Sequence, residues 1–346
     1  MSFTIAQLTS QFPHCGNAFR FDTYRGCSFG CIYCFSHNRG GNYSVKDEAA
    51  DPVAVSRLVN KETGIIGELI RRRVPIHCGG LSDPFQSREF NDHRTLQLIG
   101  QLPEYPVMFS TKAASLPDEY FLKLDPEYHV FQLSISGIPD DALRDFEKGT
   151  ASTQDRIKFA IKLKQMGFTV LIRIQPLISL NWAARVVCRL GGVVDGFTIE
   201  HIKFPSDNKR AFEKIKAALK KHNVSIQFCS SGREFEVRGD QKVKNIDKLK
   251  SIGRSAVINV GDNDCRLMSE TTNCCGLTVC PPSFENWIQF NSMALKMSNC
   301  WEAWKPEEKA TACLNSTCIR AGWGYADYVE YNYTKLYGNR NQETLF

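Results

Sequence analysis

The 346-residue chain predicts an α/β fold built on parallel strands, and three observations predict it. Short apolar runs alternate with helix-period stretches six times between about residues 19 and 230. The runs are rich in Val, Ile, Leu and Phe, as strands buried on both faces are. Several end at glycines or polar groups: Gly79-Gly80, Thr111-Lys112, Ser134 and Arg173-Ile174-Gln175. Such alternation is the pattern of βαβ units in one sheet. A barrel, closed or partial, would bring the loops after all its strands to one end, where sites in such folds lie.

Taken in order, residues 1–18 read as an irregular lead-in, and 19–24 alternates apolar and polar residues as a first strand does. Residues 38–46 are loop-like, and 52–73 is helical with a break near Thr63-Gly64. A second strand over 74–78 stops at Gly79-Gly80. A helix over 91–102, a strand over 106–112, a short helix over 117–124 and a strand over 129–137 follow. Residues 153–166 place Ile157, Ala160 and Ile161 on one helix face, leave Arg156, Lys158 and Lys162 for the surface, and end at a capping Gly167. Then come a β-branched strand over 168–176, a helix over 181–190, a strand over 193–202, a basic helix over 207–222 and a last strand over 224–229. Past residue 235 the alternation fades. Seven of the 14 cysteines and four of the five tryptophans (Trp287, Trp301, Trp304, Trp323) lie there. The chain thus divides into a lead-in (1–18), a barrel (19–235) and a cysteine- and tryptophan-rich extension (236–346).

Composition excludes several classes. No apolar run approaches a membrane span, and the first residues lack the basic and apolar regions of a signal peptide. A cytoplasmic protein is expected. In that reducing compartment, closely spaced cysteines point to metal or redox chemistry rather than disulfides. A net charge of +6 permits nucleic-acid binding without requiring it.

The chemistry concentrates in Cys27, Cys31 and Cys34, spaced C-x3-C-x2-C, with Gly26 and Gly30 free to bend the loop. Converging thiolates bind a soft metal or an iron–sulfur cluster. A four-iron cluster held by three cysteines keeps one iron open. His37 offers another reading, a Cys3His zinc site in a non-catalytic nucleic-acid-binding module. Arg173, on an otherwise apolar strand, needs a carboxylate or phosphate partner from the chain or from a ligand.

The cysteine run, with Tyr33 before its last cysteine, resembles the signature of the radical S-adenosylmethionine (radical SAM) superfamily. The resemblance covers roughly residues 19–230. Gly79-Gly80-Leu81-Ser82-Asp83-Pro84-Phe85-Gln86, Thr111-Lys112, Ser134, the run Phe146-Glu147-Lys148-Gly149-Thr150 ahead of Arg156, and Arg173 to Leu177 are similar to spore-photoproduct-lyase-like members. Leu81 stands where the superfamily's glycine turn usually carries an acid. The resemblance implies a partial (β/α)6 TIM-like barrel and a [4Fe–4S] cluster on Cys27, Cys31 and Cys34. It also implies reductive cleavage of S-adenosylmethionine to a 5′-deoxyadenosyl radical, with flavodoxin or ferredoxin as electron donor. Gly79 and Gly80 would meet the methionyl amino group, Ser134 and Arg173 the ribose and carboxylate, and Tyr33 the adenine; Thr111 and Lys112 are further cofactor candidates.

The extension's Cys265, Cys274, Cys275, Cys280, Cys300, Cys313 and Cys318 resemble sets that hold an auxiliary cluster. Zinc, buried free thiols, or one cysteine donating a hydrogen atom to a product radical are the other readings. Cys15, Cys78, Cys188 and Cys229 read as structural. Lys203, Lys209, Arg210, Lys214, Lys216, Lys220 and Lys221, with Lys242, Lys244, Lys248, Lys250 and Arg254, form either a solvated face or a phosphate-contacting stripe. The aromatic tail 325–337 suits that surface or a core equally. A nucleic acid or nucleotide is one expected substrate; a peptide or small molecule is the other.

Overall fold

A computed structural model describes residues 6–8, 17, 19–38, 48–51, 53–54, 57, 70, 73–206, 208–231, 234–253, 256–261 and 275–285. Most of the expected helix over 52–73, Cys15, Arg254, the four late tryptophans, the tail 325–337 and Cys265, Cys274, Cys300, Cys313 and Cys318 lie outside the described residues.

The strands are β1 (Ala6–Leu8), β2 (Phe19–Phe21), β3 (Tyr24–Arg25), β4 (Glu48–Ala49), β5 (Ile76–Cys78), β6 (Val107–Thr111), β7 (His129–Ser134), β8 (Thr169–Leu177), β9 (Gly196–His201), β10 (Lys203–Pro205), β11 (Phe228–Ser231), β12 (Glu234–Val237) and β13 (Val257–Val260). The helices between them are α1 (Glu89–Asp92), α2 (Arg94–Gln101), α3 (Asp118–Phe121), α4 (Asp140–Phe146), α5 (Thr153–Gln165), α6 (Leu180–Leu190), α7 (Lys209–Lys221) and α8 (Gly239–Ile252). One sheet runs β1-β2-β5-β6-β7-β8-β9-β13, parallel from β2 onward, with β1 antiparallel at its edge. It is the expected partial TIM-like barrel.

Among the differences from the sequence reading, three bear on the barrel. The helix expected over 91–102 is two, because His93 adopts a left-handed backbone (φ 52°) between α1 and α2. The strand expected over 224–229 begins at Phe228 and joins a small antiparallel sheet, β10-β12-β11, rather than the barrel. Val224 N bonds Leu219 O, so the chain there is still closing the end of α7. The seventh parallel strand is β13, beside β9 and beyond residue 235. A four-residue strand, Val-Ile-Asn-Val, is too short for periodicity to single out.

Strand alternation sorts side chains onto two faces. Phe109, Phe131, Val170, Ile172, Ile174, Phe197 and Ile199 face the helices, where the Phe131 ring meets Phe159 and Phe168. Fully burying such a side chain contributes about 1.5–3 kcal/mol. The opposite, inner face is polar. Register and hydrogen bonds place Arg20, His77, Ser110, Gln132, Ser134, Arg173 and Thr198 along it. Residues 275–285 cover part of this face. Gln132 Nε2 donates to Cys275 O at 2.9 Å, Gly276 sits on Leu171, and Leu277 and Phe284 are buried in the core.

Candidate metal and cofactor site

The cysteine loop leaves β3 and turns at Gly26 (φ 98°) and Gly30 (φ 60°), backbone values that glycine adopts without strain. Two separate pieces of the chain hold it. Gln86, almost wholly buried, accepts from Ser28 N (2.8 Å) and donates to Gly26 O (3.1 Å). The segment after α4 backs the other side: Ile32 N donates to Phe146 O, Cys31 bridges Glu147, and Gly149 N donates to Phe29 O. A Cβ on Gly149 would lie 2.8 Å from Ser28 O, so only glycine allows this approach. Phe29 and Tyr33 add apolar anchors in a cluster with Phe146 and Trp182.

Cys31 is buried, and Cys27 and Cys34 are half-buried. Burial, then the charge of Asp83, pushes the Cys27 thiol up to about 12; burial also pushes Cys31 up, while Lys112 pulls it back. Thiolates here need a positive partner, which iron would supply. Among the described residues no three His, Cys, Asp or Glu side chains close on a single ion. Cysteine sulfurs are the donors that an iron–sulfur cluster takes. His37 lies in the 3-10 turn Phe35–Asn38, and its side chain is outside the described residues.

Behind the loop sits a buried charge network. Glu147 accepts from Tyr33 Oη, pairs with Arg156 Nη2 at 2.7 Å, and has Lys112 Nζ at 3.5 Å. Burial alone would raise the Glu147 carboxyl, but Arg156, Lys112 and the Tyr33 hydroxyl bring it down to about 2. Arg156 Nη1 also donates to Ser134 O at 2.7 Å, tying the network to β7. Arg156 was expected on the surface and is instead 1% exposed, because the buried carboxylate of Glu147 demands a cation. Neither residue stood out as a site residue in the sequence. The only signal was the Glu147-Lys148-Gly149-Thr150 run followed by Arg156.

The other candidates fall into two groups. Tyr33 and Lys112 stand together over Glu147, the Lys112 ammonium 5.6 Å from the Tyr33 ring centre. Thr111 serves the turn: its hydroxyl donates to Asp83 Oδ1 and accepts from Ala113 N. Asp83 also accepts from Phe85 N and Lys112 N, which fixes the Asp83-Pro84-Phe85 turn against β6. Gly79 and Gly80 have packing reasons of their own. A Cβ on Gly79 (φ 105°) would reach 2.4 Å from Ser110 O, and one on Gly80 2.0 Å from Arg20 Cδ. Asp22 pairs with Arg20 at 2.8 Å and accepts from Leu81 N, so the turn is held from β2. The second group is on the inner face, where Ser134 and Arg173 are register partners. Arg173 Nε donates to Gln175 Oε1 (2.6 Å) and Nη1 to Ser110 Oγ (3.3 Å), and no carboxylate meets it among the described residues.

Of the late cysteines, Cys280 is half-buried, with its thiol donating to Gly276 O at 3.6 Å and its pKa raised by burial. Lys242 does not belong to the basic stripe: it is buried and paired with Glu236 at 2.6 Å. Lys209, Lys214, Lys216 and Lys220 of α7 are exposed. No described helix is long and apolar enough to cross a membrane.

The fold is similar to solved structures of spore photoproduct lyase. A doubly substituted variant with bound AdoMet and dinucleoside spore photoproduct gives a TM-score of 0.51 at 17% identity, covering 73% of this chain and 78% of that one. A singly substituted variant gives 0.52 at 16%, over 74% and 80%. The lyase complexed with dinucleoside spore photoproduct gives 0.51 at 17%, over 73% and 78%. No family model and no curated protein matches the chain. The chain therefore shares the partial TIM-like barrel fold of spore photoproduct lyase.

Proposed function

We propose that this chain is a radical SAM enzyme whose Cys27, Cys31 and Cys34 hold a [4Fe–4S] cluster. The observation that carries the reading is a three-cysteine loop seated at the strand ends of this barrel and braced by Gln86 and the 146–149 segment. When bound, the cluster and S-adenosylmethionine supply an electron and a 5′-deoxyadenosyl radical that takes a hydrogen atom from the substrate. The chain's part is to bind, orient and exclude water. Gly79 and Gly80 would shape the turn that meets the cofactor's amino group, Ser134 would bind its ribose, and Arg173 would hold its carboxylate. Tyr33 and Lys112, gathered on Glu147, fix the loop's inner side. A flavodoxin or ferredoxin supplies the electron.

For the substrate we favour a nucleic acid or nucleotide. Two of the similar lyase structures hold a dinucleoside photoproduct, and α7 presents exposed lysines. Anaerobic reconstitution tests the enzyme reading. About four irons per chain and production of 5′-deoxyadenosine support it. Stoichiometric zinc without cofactor cleavage returns the chain to the zinc-stabilised binding module.

A further inference from the structure

A cavity of about 540 Å³ opens on the helix side of the sheet, away from the inner face. Alternation along β9 sets this side. Thr198 points inward, so Ile199 and His201 point outward, and His201 meets Asn245 of α8 there. Leu177 of β8, the register partner of His201, lines the cavity with it. The volume falls within the range of small-molecule sites, about 300–1,000 Å³.

The lining has two parts. Ile178 and Trp182, with Val224 and Ile226 from the segment after α7, give apolar walls. Arg185, His222, Gln241 and Asn245 give polar groups, and no carboxylate of the described residues lines the space. Asp145, behind His222, is already taken by that imidazole (2.7 Å) and by Lys221 (2.8 Å). The cavity is therefore not built for a cation.

Two amides on α8 are each half used. Gln241 and Asn245 are four residues apart, so they share one helix face. Gln241 Oε1 accepts from Gln227 N at 3.0 Å, which leaves Nε2 to donate. Asn245 Nδ2 donates to His201 Nε2 at 3.1 Å, which leaves Oδ1 to accept. A free donor beside a free acceptor matches the pairing edge of a nucleobase, whose ring faces would lie against the apolar walls. Arg185 of α6 is exposed and has no carboxylate partner among the described residues, which suits it to a phosphate.

We propose that this cavity binds a nucleotide, with its base on Gln241 and Asn245 and its phosphate on Arg185. It is an accessory site, because the sheet separates it from the inner face. It goes beyond the cluster and cofactor reading and does not depend on it. The nucleotide is either free or one unit of a bound strand. α7, whose lysines favour a nucleic acid, is capped by His222 at this cavity.

The full chain without iron tests this, with AMP, GMP, CMP, UMP and a short single-stranded oligonucleotide of mixed sequence as probes in calorimetry. Gln241→Met removes the free donor at similar length. Arg185→Gln removes an unpaired charge and should melt with the parent. Each variant should bind a monophosphate or the strand about tenfold or more weakly. Weakening for a monophosphate assigns the site to free nucleotide; weakening for the strand alone assigns it to a nucleotide within nucleic acid. Absence of binding by every probe to the parent, or binding that neither variant alters, overturns the proposal. S-adenosylmethionine affinity of reconstituted protein should be the same in parent and variants. A tenfold drop there would make the cavity part of the cofactor site and would equally overturn it. The nucleotide measurements use iron-free protein, so a chain that never forms 5′-deoxyadenosine still decides them.

Discussion

Glu147 and Arg156 form an ion pair at 2.7 Å in which neither side chain is more than 1% exposed. The pair sits between the cysteine loop and β7, so it links the candidate metal loop to the strand that carries Ser134. Such a pair is costly to form but much costlier to halve. Glu147→Gln keeps the shape and leaves Arg156 a buried cation. We expect a loss of about 3–5 kcal/mol, measured by urea denaturation. Equal stability of the variant would refute the buried pairing.

Acid should destabilise the fold in two stages. Burial, with Arg173 and Arg20 nearby, lowers His77 to about 3 from its ordinary 6.5, so it is neutral when folded and takes up a proton on unfolding. Its contribution is present above pH 6.5 and is lost as pH falls from 6.5 towards 3. Glu147, lowered to about 2 from 4.5, contributes above 4.5 and loses that contribution as pH falls towards 2. Melting temperature followed from pH 7.5 to 4 should fall, and His77→Gln should flatten the upper part of the decline.

Gly79 and Gly80 should differ sharply when replaced by alanine. At Gly79 the obstacle is the Ser110 backbone, and the positive φ adds roughly 1–3 kcal/mol of strain. At Gly80 the obstacle is the Arg20 side chain, which can swing away at the expense of its pairing with Asp22. Denaturation should therefore rank Gly79→Ala below Gly80→Ala. The reverse order would argue against this packing of the turn.

Gln86 holds the cysteine loop through two hydrogen bonds to its backbone. Gln86→Leu should cost about 1–3 kcal/mol and lower the iron retained after reconstitution, while circular dichroism keeps the helical signal. Iron retention equal to that of the parent chain would show that the other brace, at 146–149, suffices.

If α7 contacts nucleic acid, Lys209, Lys214 and Lys220 changed together to Gln should reduce the slope of log affinity against log salt by up to about 2–3. Lys242→Met should leave that slope unchanged, because the Lys242 ammonium is buried on Glu236. Equal effects from both variants would count against a surface site.

The barrel was legible because its strands are long apolar runs that end at glycines or polar groups, and β7, β8, α5 and α6 follow those limits closely. The cysteine loop was legible because its spacing is local. What escaped is non-local. Arg156 looks like a surface residue on a basic helix until Glu147, nine positions earlier, is folded beneath it. Lys242 counted as one more surface lysine until Glu236 arrived from β12. Charge pairing across a fold carries no period along the chain.

The bond from Gln132 to the Cys275 carbonyl joins residues 143 positions apart, and Tyr33 meets Glu147 over 114. Those separations set an order of events during synthesis. At about 5–20 residues per second, the cysteines wait roughly 6–24 s for Glu147 and Gly149 to be made, and longer for the segment that covers the inner face. Through that interval three neighbouring thiols stand without their shell, open to oxidation and to stray metal. If the three cysteines hold a cluster, slowing translation between residues 35 and 147 should lower the share of chains that acquire iron.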